Sequence, residues 1–419
     1  MSKHFQPGRW LLITASLLAL AGVLYLLRLA IYPLFGGKEL ILRMVGAAIT
    51  SFLIVALASP RMIRWLMKKK FGDRPEFDHG QLNELMKHKS STPTMGGLLI
   101  VLAIAVSTFI FGDVDKCYYI RMAFLVLAWL GGLGAVDDWY KLRRPPAAAA
   151  PLPVAGSAAP PPRPGAADRN TRDGLRSWQK ILFQIALAVL LASFIWDYSR
   201  ESRYADYNQR AINAAHSFYF PFKADPIELG RAAFLIIGVL VIVGSSNAVN
   251  LTDGMDGLAA GCMFIVTLVF LVLSWVAGVP QWANQMHLPH VPEAAELTVL
   301  CAAMAGSCLG FLWYNCLPAQ VFMGDTGSLP LGGLLGYVAV VTRQELMLFI
   351  AGGVFVLEAL SVLSQVTYFK ATHGQRLFRC APIHHHFNLL GWAESKVVMR
   401  FWLLCILCAA LAMATLKLR

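Results

Sequence analysis

Apolar residues run along this chain in long stretches, with short polar islands between them. The stretches fall at 10–31, 40–60, 96–111, 120–136, 179–196, 231–249, 257–279, 297–317, 328–342, 346–369 and 397–416. Most approach the roughly 20 residues that an α-helix needs to cross a bilayer. The pattern predicts an all-α, polytopic transmembrane bundle of ten or eleven helices. The first stretch carries Arg28, so it reads either as a span or as a helix lying in the membrane interface.

Composition agrees. The chain has 419 residues, of which 57% are hydrophobic and only 14% charged. A soluble protein of this size cannot bury that much apolar surface in one core. The basic N-terminus runs into the first stretch without a small-residue cleavage site, so no removable signal peptide is expected.

The net charge of +12 would suggest nucleic acid in a soluble protein. Here its distribution points to lipid instead, and no nucleic-acid partner is expected. The loops after the second, fourth, sixth, eighth and tenth stretches hold 19 Lys and Arg. The opposite loops hold fewer than half as many, so the positive-inside rule makes the first set cytoplasmic. The eight cysteines are scattered, mostly within apolar stretches. That pattern is neither a disulfide framework nor a zinc site. The Pro/Ala/Gly-rich stretch 143–170 reads as a disordered cytoplasmic insertion within one integral-membrane domain spanning 1–419.

Five unusual islands share the cytoplasmic set: "HKSSTPTMGG" (88–97), "VDDWYK" (136–141), "NAVNLTDGMDG" (247–257), "VFMGDTGSL" (321–329) and "FRCAPIHHHF" (378–387). Asp137 and Asp138 are adjacent carboxylates at a membrane boundary. They are either a solvated helix end or part of a magnesium site, since that ion takes one or two carboxylates plus substrate phosphates. Lys141, one turn on, can pair with either aspartate or with a phosphate. Asp325 stands between glycines just ahead of a helix start. It either caps that helix or ligates a metal while free amides hold an anion. Asn247, Asn250, Asp253 and Asp256 suit a polar ligand or a metal, or an Asx-capped turn. They lack the spacing and closing glutamate of a calcium loop. His384, His385 and His386 are consecutive and point in different directions, so they cannot chelate one metal together. Together the islands describe a cytoplasm-facing cleft suited to magnesium-dependent phosphoryl transfer.

The stretches "STPTMGG", "VDDWYK", "GSSNAVNLTDGMDGLA", "AQVFMGDTGSLPLGG" and "FRCAPIHHHFNLLGW" together resemble the phospho-N-acetylmuramoyl-pentapeptide transferases. "APIHHHF" favours them over other polyprenyl-phosphate sugar-1-phosphate transferases. The resemblance runs from about residue 40 to the end, apart from 143–170. It implies transfer of phospho-MurNAc-pentapeptide from UDP-MurNAc-pentapeptide to undecaprenyl phosphate, giving lipid I and UMP. It also implies Mg2+, a homodimer and a bacterial inner-membrane location. By motif, Asp325 becomes the principal magnesium ligand and Asp138 a second one that engages or deprotonates the lipid phosphate, with Asp137 beside them. Lys141 and Lys180 steady phosphates. Asn250, Asp253 and Asp256 bind the nucleotide, with Phe322 stacked on uracil. His384, His385 and His386 complete the pocket, and Lys89, Thr92 and Thr94 line its mouth.

Two other readings compete. Transfer of GlcNAc-1-phosphate to the same lipid shares most of this site. A secondary transporter also places carboxylates at helix breaks, but near the bilayer midplane rather than at one face.

Overall fold

The computed structural model describes residues 7–34, 39–69, 89, 92–143, 174–201, 216–221, 223 and 226–416. All of the insertion except its first residue, Arg143, lies outside them. Every apolar stretch is helical. The helices are α1 (Pro7–Leu34), α2 (Leu40–Lys68), α3 (Gly97–Phe111), α4 (Tyr118–Arg143), α5 (Ser177–Glu201), α6 (Arg231–Thr252) and α7 (Leu258–Gly278). They continue with α8 (Pro280–Gln285), α9 (Ala294–Asn315), α10 (Asp325–Val341), α11 (Glu345–Ala351), α12 (Gly353–Ala371), α13 (Ile383–Leu389) and α14 (Glu394–Thr415). A two-residue antiparallel pair, β1 (Ser217–Phe218) with β2 (Ile227–Glu228), is the sole sheet among the described residues.

Among the described residues eight helices are long and apolar enough to cross a membrane: α2, α4, α5, α6, α7, α9, α12 and α14. α3 and the Leu18–Pro33 part of α1 are shorter apolar helices. The stretch 346–369 is not one helix. It divides at Gly352 into α11 and α12, and its Gly352-Gly353 pair is the kind of sequence at which helices break.

α10 organises the bundle. All 17 of its residues are buried, as expected for a helix apolar on every side. It packs on α6 and α4, and more lightly on α3 and α7. Small residues permit the close approach. Cβ atoms built on Gly332 and Gly336 would collide with α6 at Ser245, whose Oγ donates to the Gly332 carbonyl at 2.8 Å. This is small-residue packing, the main device for joining helices in lipid. A second sheet of helices, α9 on α2 and α7, flanks this core.

The far end of the bundle is tied by buried arginines. Arg43 of α2 makes a two-pronged contact with Glu296 of α9 at 2.8 and 2.7 Å. Arg28 is buried too. It donates to the Phe109 and Gly112 carbonyls at the end of α3 and pairs with Asp115. Its charge therefore meets a helix C-terminus, where cations are favoured.

Candidate active site

The chain alternates direction, so the polar islands gather at the other end. The C-terminus of α4 brings Asp137, Asp138 and Lys141. The first turn of α5 brings Lys180, the last turn of α6 brings Asn250, and the first residue of α10 is Asp325. The α10 N-terminus sits deep between α3 and α4 because glycines line its path. A side chain at Gly97 would collide with Gly327, and one at Gly134 with the Asp325 backbone. Gly324, just ahead of α10, has φ +71°, a left-handed conformation that favours glycine. A Cβ there would also press on Asp138 and on Thr94.

Asp138 does what a helix cap does, but from a neighbouring helix. Its Oδ2 accepts from the Thr326 N–H at 3.0 Å and from the Thr326 hydroxyl at 2.7 Å. Its Oδ1 accepts one longer bond, 3.2 Å, from the Asp325 N–H. The free amides and positive dipole end of α10 thus face a carboxylate. Asp137 Oδ1 accepts from the Leu175 N–H, and its Oδ2 meets Lys141 at 2.8 Å and Lys180 at 3.3 Å. Asp325 lies between the same lysines, 3.3 Å from Lys141 and 3.0 Å from Lys180, and accepts from Asn250 at 2.9 Å. Burial alone would raise the Asp325 carboxyl. Lys141 and Lys180 outweigh burial, with help from Asn250, and hold it well below the ordinary carboxylate range.

Three carboxylates against two lysines leave a formal charge of −1. One oxygen from each of Asp137, Asp138 and Asp325 lies within 4.8 Å of the others. Hard oxygen donors at that spacing, with Asp138 Oδ1 only lightly engaged, fit a small divalent cation. The three carboxylates are buried, but the two lysine side chains are 43% and 22% exposed, so the cluster opens to solvent on its lysine side.

The other anticipated residues divide. Thr94 joins the cluster through Gly324. Phe322 is half-buried on a strand-like loop whose backbone pairs with Pro93 and Gly96. Thr92 is half-buried next to Lys89, whose carbonyl its N–H contacts. Asp253 follows α6 and is half-buried. Asn247 turns away from the carboxylates: its amide donates to Gln184 of α5 at 2.6 Å and to Val243. Lys89 and Asp256 form a separate buried knot with Glu394. Lys89 contacts Asp256 at 2.5 Å and also Glu394, Glu394 accepts from the Asp256 N–H, and Asp256 accepts from the Ala319 N–H.

The three histidines lie on α13 with three fates. His384 and His385 are buried, and their rings lie 4.1 Å apart. Burial, then His384 and Lys89, hold His385 well below the ordinary histidine value, so it is neutral at pH 7. His386 is partly open and accepts from the Arg379 N–H. His384 faces Glu358 of α12. Sequence reasoning missed Glu358 and Glu394. Glu358 had a signal, as a lone acid inside an apolar run. Glu394 had little, as an acid in a first helical turn is ordinary.

Comparison with known proteins bears on this arrangement. The glycosyl transferase family 4 pattern matches residues 165–343. Signature 1 of the phospho-N-acetylmuramoyl-pentapeptide-transferases matches residues 89–101. The protein of that name from Desulfotalea psychrophila is 40% identical over 396 residues, 93% of this chain and 99% of its own. Its counterpart from Oleidesulfovibrio alaskensis is 41% identical over 379 residues, 90% of this chain and 93% of its own. That from Leptospira biflexa is 38% identical over 379 residues, 90% and 94%.

Proposed function

Since the chain belongs to the phospho-N-acetylmuramoyl-pentapeptide transferase family, we propose that it moves phospho-MurNAc-pentapeptide from UDP-MurNAc-pentapeptide to undecaprenyl phosphate, releasing UMP and leaving lipid I. The observation that carries this is the open cluster of Asp137, Asp138 and Asp325 with Lys141 and Lys180, set against the N-terminus of α10. Phosphoryl transfer needs positioning and charge neutralisation more than covalent help, and such a cluster supplies both.

Asp325 would be the principal residue to hold magnesium, with Asp138 beside it. Bound there, the ion would supply charge neutralisation on the donor's diphosphate. Lys141 and Lys180 move from carboxylates to phosphate oxygens as the donor arrives. Asp137 anchors both lysines and the start of α5. The lipid phosphate is the nucleophile. Its second pKa near 6 leaves it largely dianionic at neutral pH, so attack needs no strong base.

Asn250 and Asp253 face the nucleotide, Phe322 its base, and Thr92 and Thr94 the mouth of the cleft, while Asp256, sealed with Lys89 and Glu394, holds the turn that carries them. The Lys/Arg asymmetry supports a cytoplasmic side for this end, and the family reading supports a bacterial inner membrane, where a soluble nucleotide sugar meets a lipid phosphate. The whole chain is one transferase domain, and 143–170 is an insertion between Lys141 and Lys180.

UMP release by the purified chain in detergent, with both substrates, tests the assignment. Release is expected to need the lipid and magnesium and to vanish in Asp325→Asn. Release from UDP-GlcNAc instead would move the protein to the sister activity. Release from neither donor by a folded preparation would overturn the transferase reading.

A further inference from the structure

Glu358 is a carboxylic acid on a helix that crosses the membrane. It lies on the second turn of α12, is fully buried, and belongs to neither charged cluster at the site end. An acid inside an apolar membrane-spanning helix is costly, and such residues keep a partner. Here the partner is His384, as fully buried as the acid, with Nδ1 3.0 Å from the carboxylate Oε2. The angles are not those of a hydrogen bond, and among the described residues neither Glu358 oxygen nor either His384 nitrogen has an aligned partner. The close contact therefore fixes where the ring sits more than how it is hydrogen-bonded.

The other edge of that ring meets the turn after α6. His384 Nε2 lies so close over Gly254 that a Cβ there would collide with it, and would also press on His385. Gly254 follows Asp253 in the stretch that carries Asn250, Asp253 and Asp256. A fully buried imidazole cannot touch a soluble donor. It can decide where this turn lies. Three segments distant in sequence (the second turn of α12, the start of α13 and the α6–α7 turn) are thus stacked in line as carboxylate, imidazole and bare backbone.

Resting on the transferase reading above, we propose that Glu358 is a positioning residue for the nucleotide-binding turn. Acting through His384, it presses α13 against Gly254 and so sets the placement of Asn250 and Asp253 toward the UDP moiety. His384 is then a spacer between acid and turn, and glycine at 254 is what lets the ring approach.

Steady-state UMP release under varied UDP-MurNAc-pentapeptide, and separately under varied undecaprenyl phosphate, tests this in Glu358→Gln, His384→Gln, the double variant and Gly254→Ala. Glu358→Gln is expected to raise KM for the nucleotide donor about tenfold, well beyond any fall in turnover, and to leave KM for the lipid in place. The double variant is expected to be no worse than His384→Gln, because the two residues act as one unit. Gly254→Ala pushes on the ring from the opposite side and is expected to raise the same KM. It carries the test if Glu358→Gln does not fold. Additive losses in the double variant, a loss of turnover at unchanged donor KM, or an unchanged donor KM in Gly254→Ala would each overturn the positioning role. Absence of release by the unaltered chain would overturn the transferase reading instead.

Discussion

Two charged clusters lie at the same end of the bundle, and they carry the same formal charge. Asp137, Asp138 and Asp325 oppose Lys141 and Lys180; Asp256 and Glu394 oppose Lys89. Each sums to −1, so charge does not distinguish them. Access does. In the second cluster all three side chains are at most 10% exposed, and backbone N–H groups of Ala319 and Asp256 take up carboxylate oxygens. In the first, Lys141 is 43% exposed and its long stem can swing toward water. A closed cluster ties segments together. An open one can trade its lysine contacts for a cation and phosphates. Sequence motifs alone assign both to one ligand site; burial separates a cluster open on its lysine side from a sealed knot that ties segments together.

That contrast can be broken experimentally. The largest effect is expected from Asp325→Asn, a loss of about 10³-fold in UMP release with an unchanged melting temperature. A large fall in melting would make Asp325 a structural residue like Asp256. Next, Lys89→Met strands two buried acids and should cost about 3–5 kcal/mol of stability, read by thermal unfolding in detergent. Adding Glu394→Gln should recover part of it. A Lys89→Met protein that melts normally but binds donor poorly would mean that the knot opens for substrate.

Asp138 should separate its two roles. Asp138→Asn keeps an oxygen for the Thr326 N–H and hydroxyl, so melting should hold while release falls. Asp138→Ala also removes the cap of α10 and should cost about 1–2 kcal/mol. Equal melting in the two variants would show that the cap contributes nothing. The smallest effect concerns pH. His385 is held below its ordinary value of 6.5, so the unfolded chain binds its proton first as pH falls. Its contribution is complete above 6.5 and lost as pH drops from there toward its folded value. Melting scans between pH 7.5 and 5 (both about, within the range where histidine titrates) should show a shallower acid decline in His385→Gln.

Much of the fold was legible. Runs of about 20 apolar residues have few alternatives, and every such stretch is helical, as one helix or, over 346–369, as two. The division at Gly352 was harder to see, because 346–369 is apolar throughout and hydropathy does not register a break that leaves composition unchanged. The site was legible as a set of islands on one side. Its internal pairing was not. Asn247 and Asn250 are three residues apart in one motif, yet Asn250 reaches Asp325 while Asn247 bonds to Gln184. One turn of helix rotates side chains only roughly onto a common face, and the neighbouring helices decide which partner each one meets.

Membrane class and helix positions therefore follow from the chain itself, because lipid forces each span to satisfy its own backbone hydrogen bonds locally. The islands also follow, as places where polar side chains stay out of the apolar stretches. Which carboxylate caps α10, which lysines keep access to water and which histidine is sealed against Glu358 were settled only by the packing. These depend on approach distances set by Gly97, Gly134, Gly254 and Gly324. A glycine records in sequence that something comes close, and only the folded bundle shows what does.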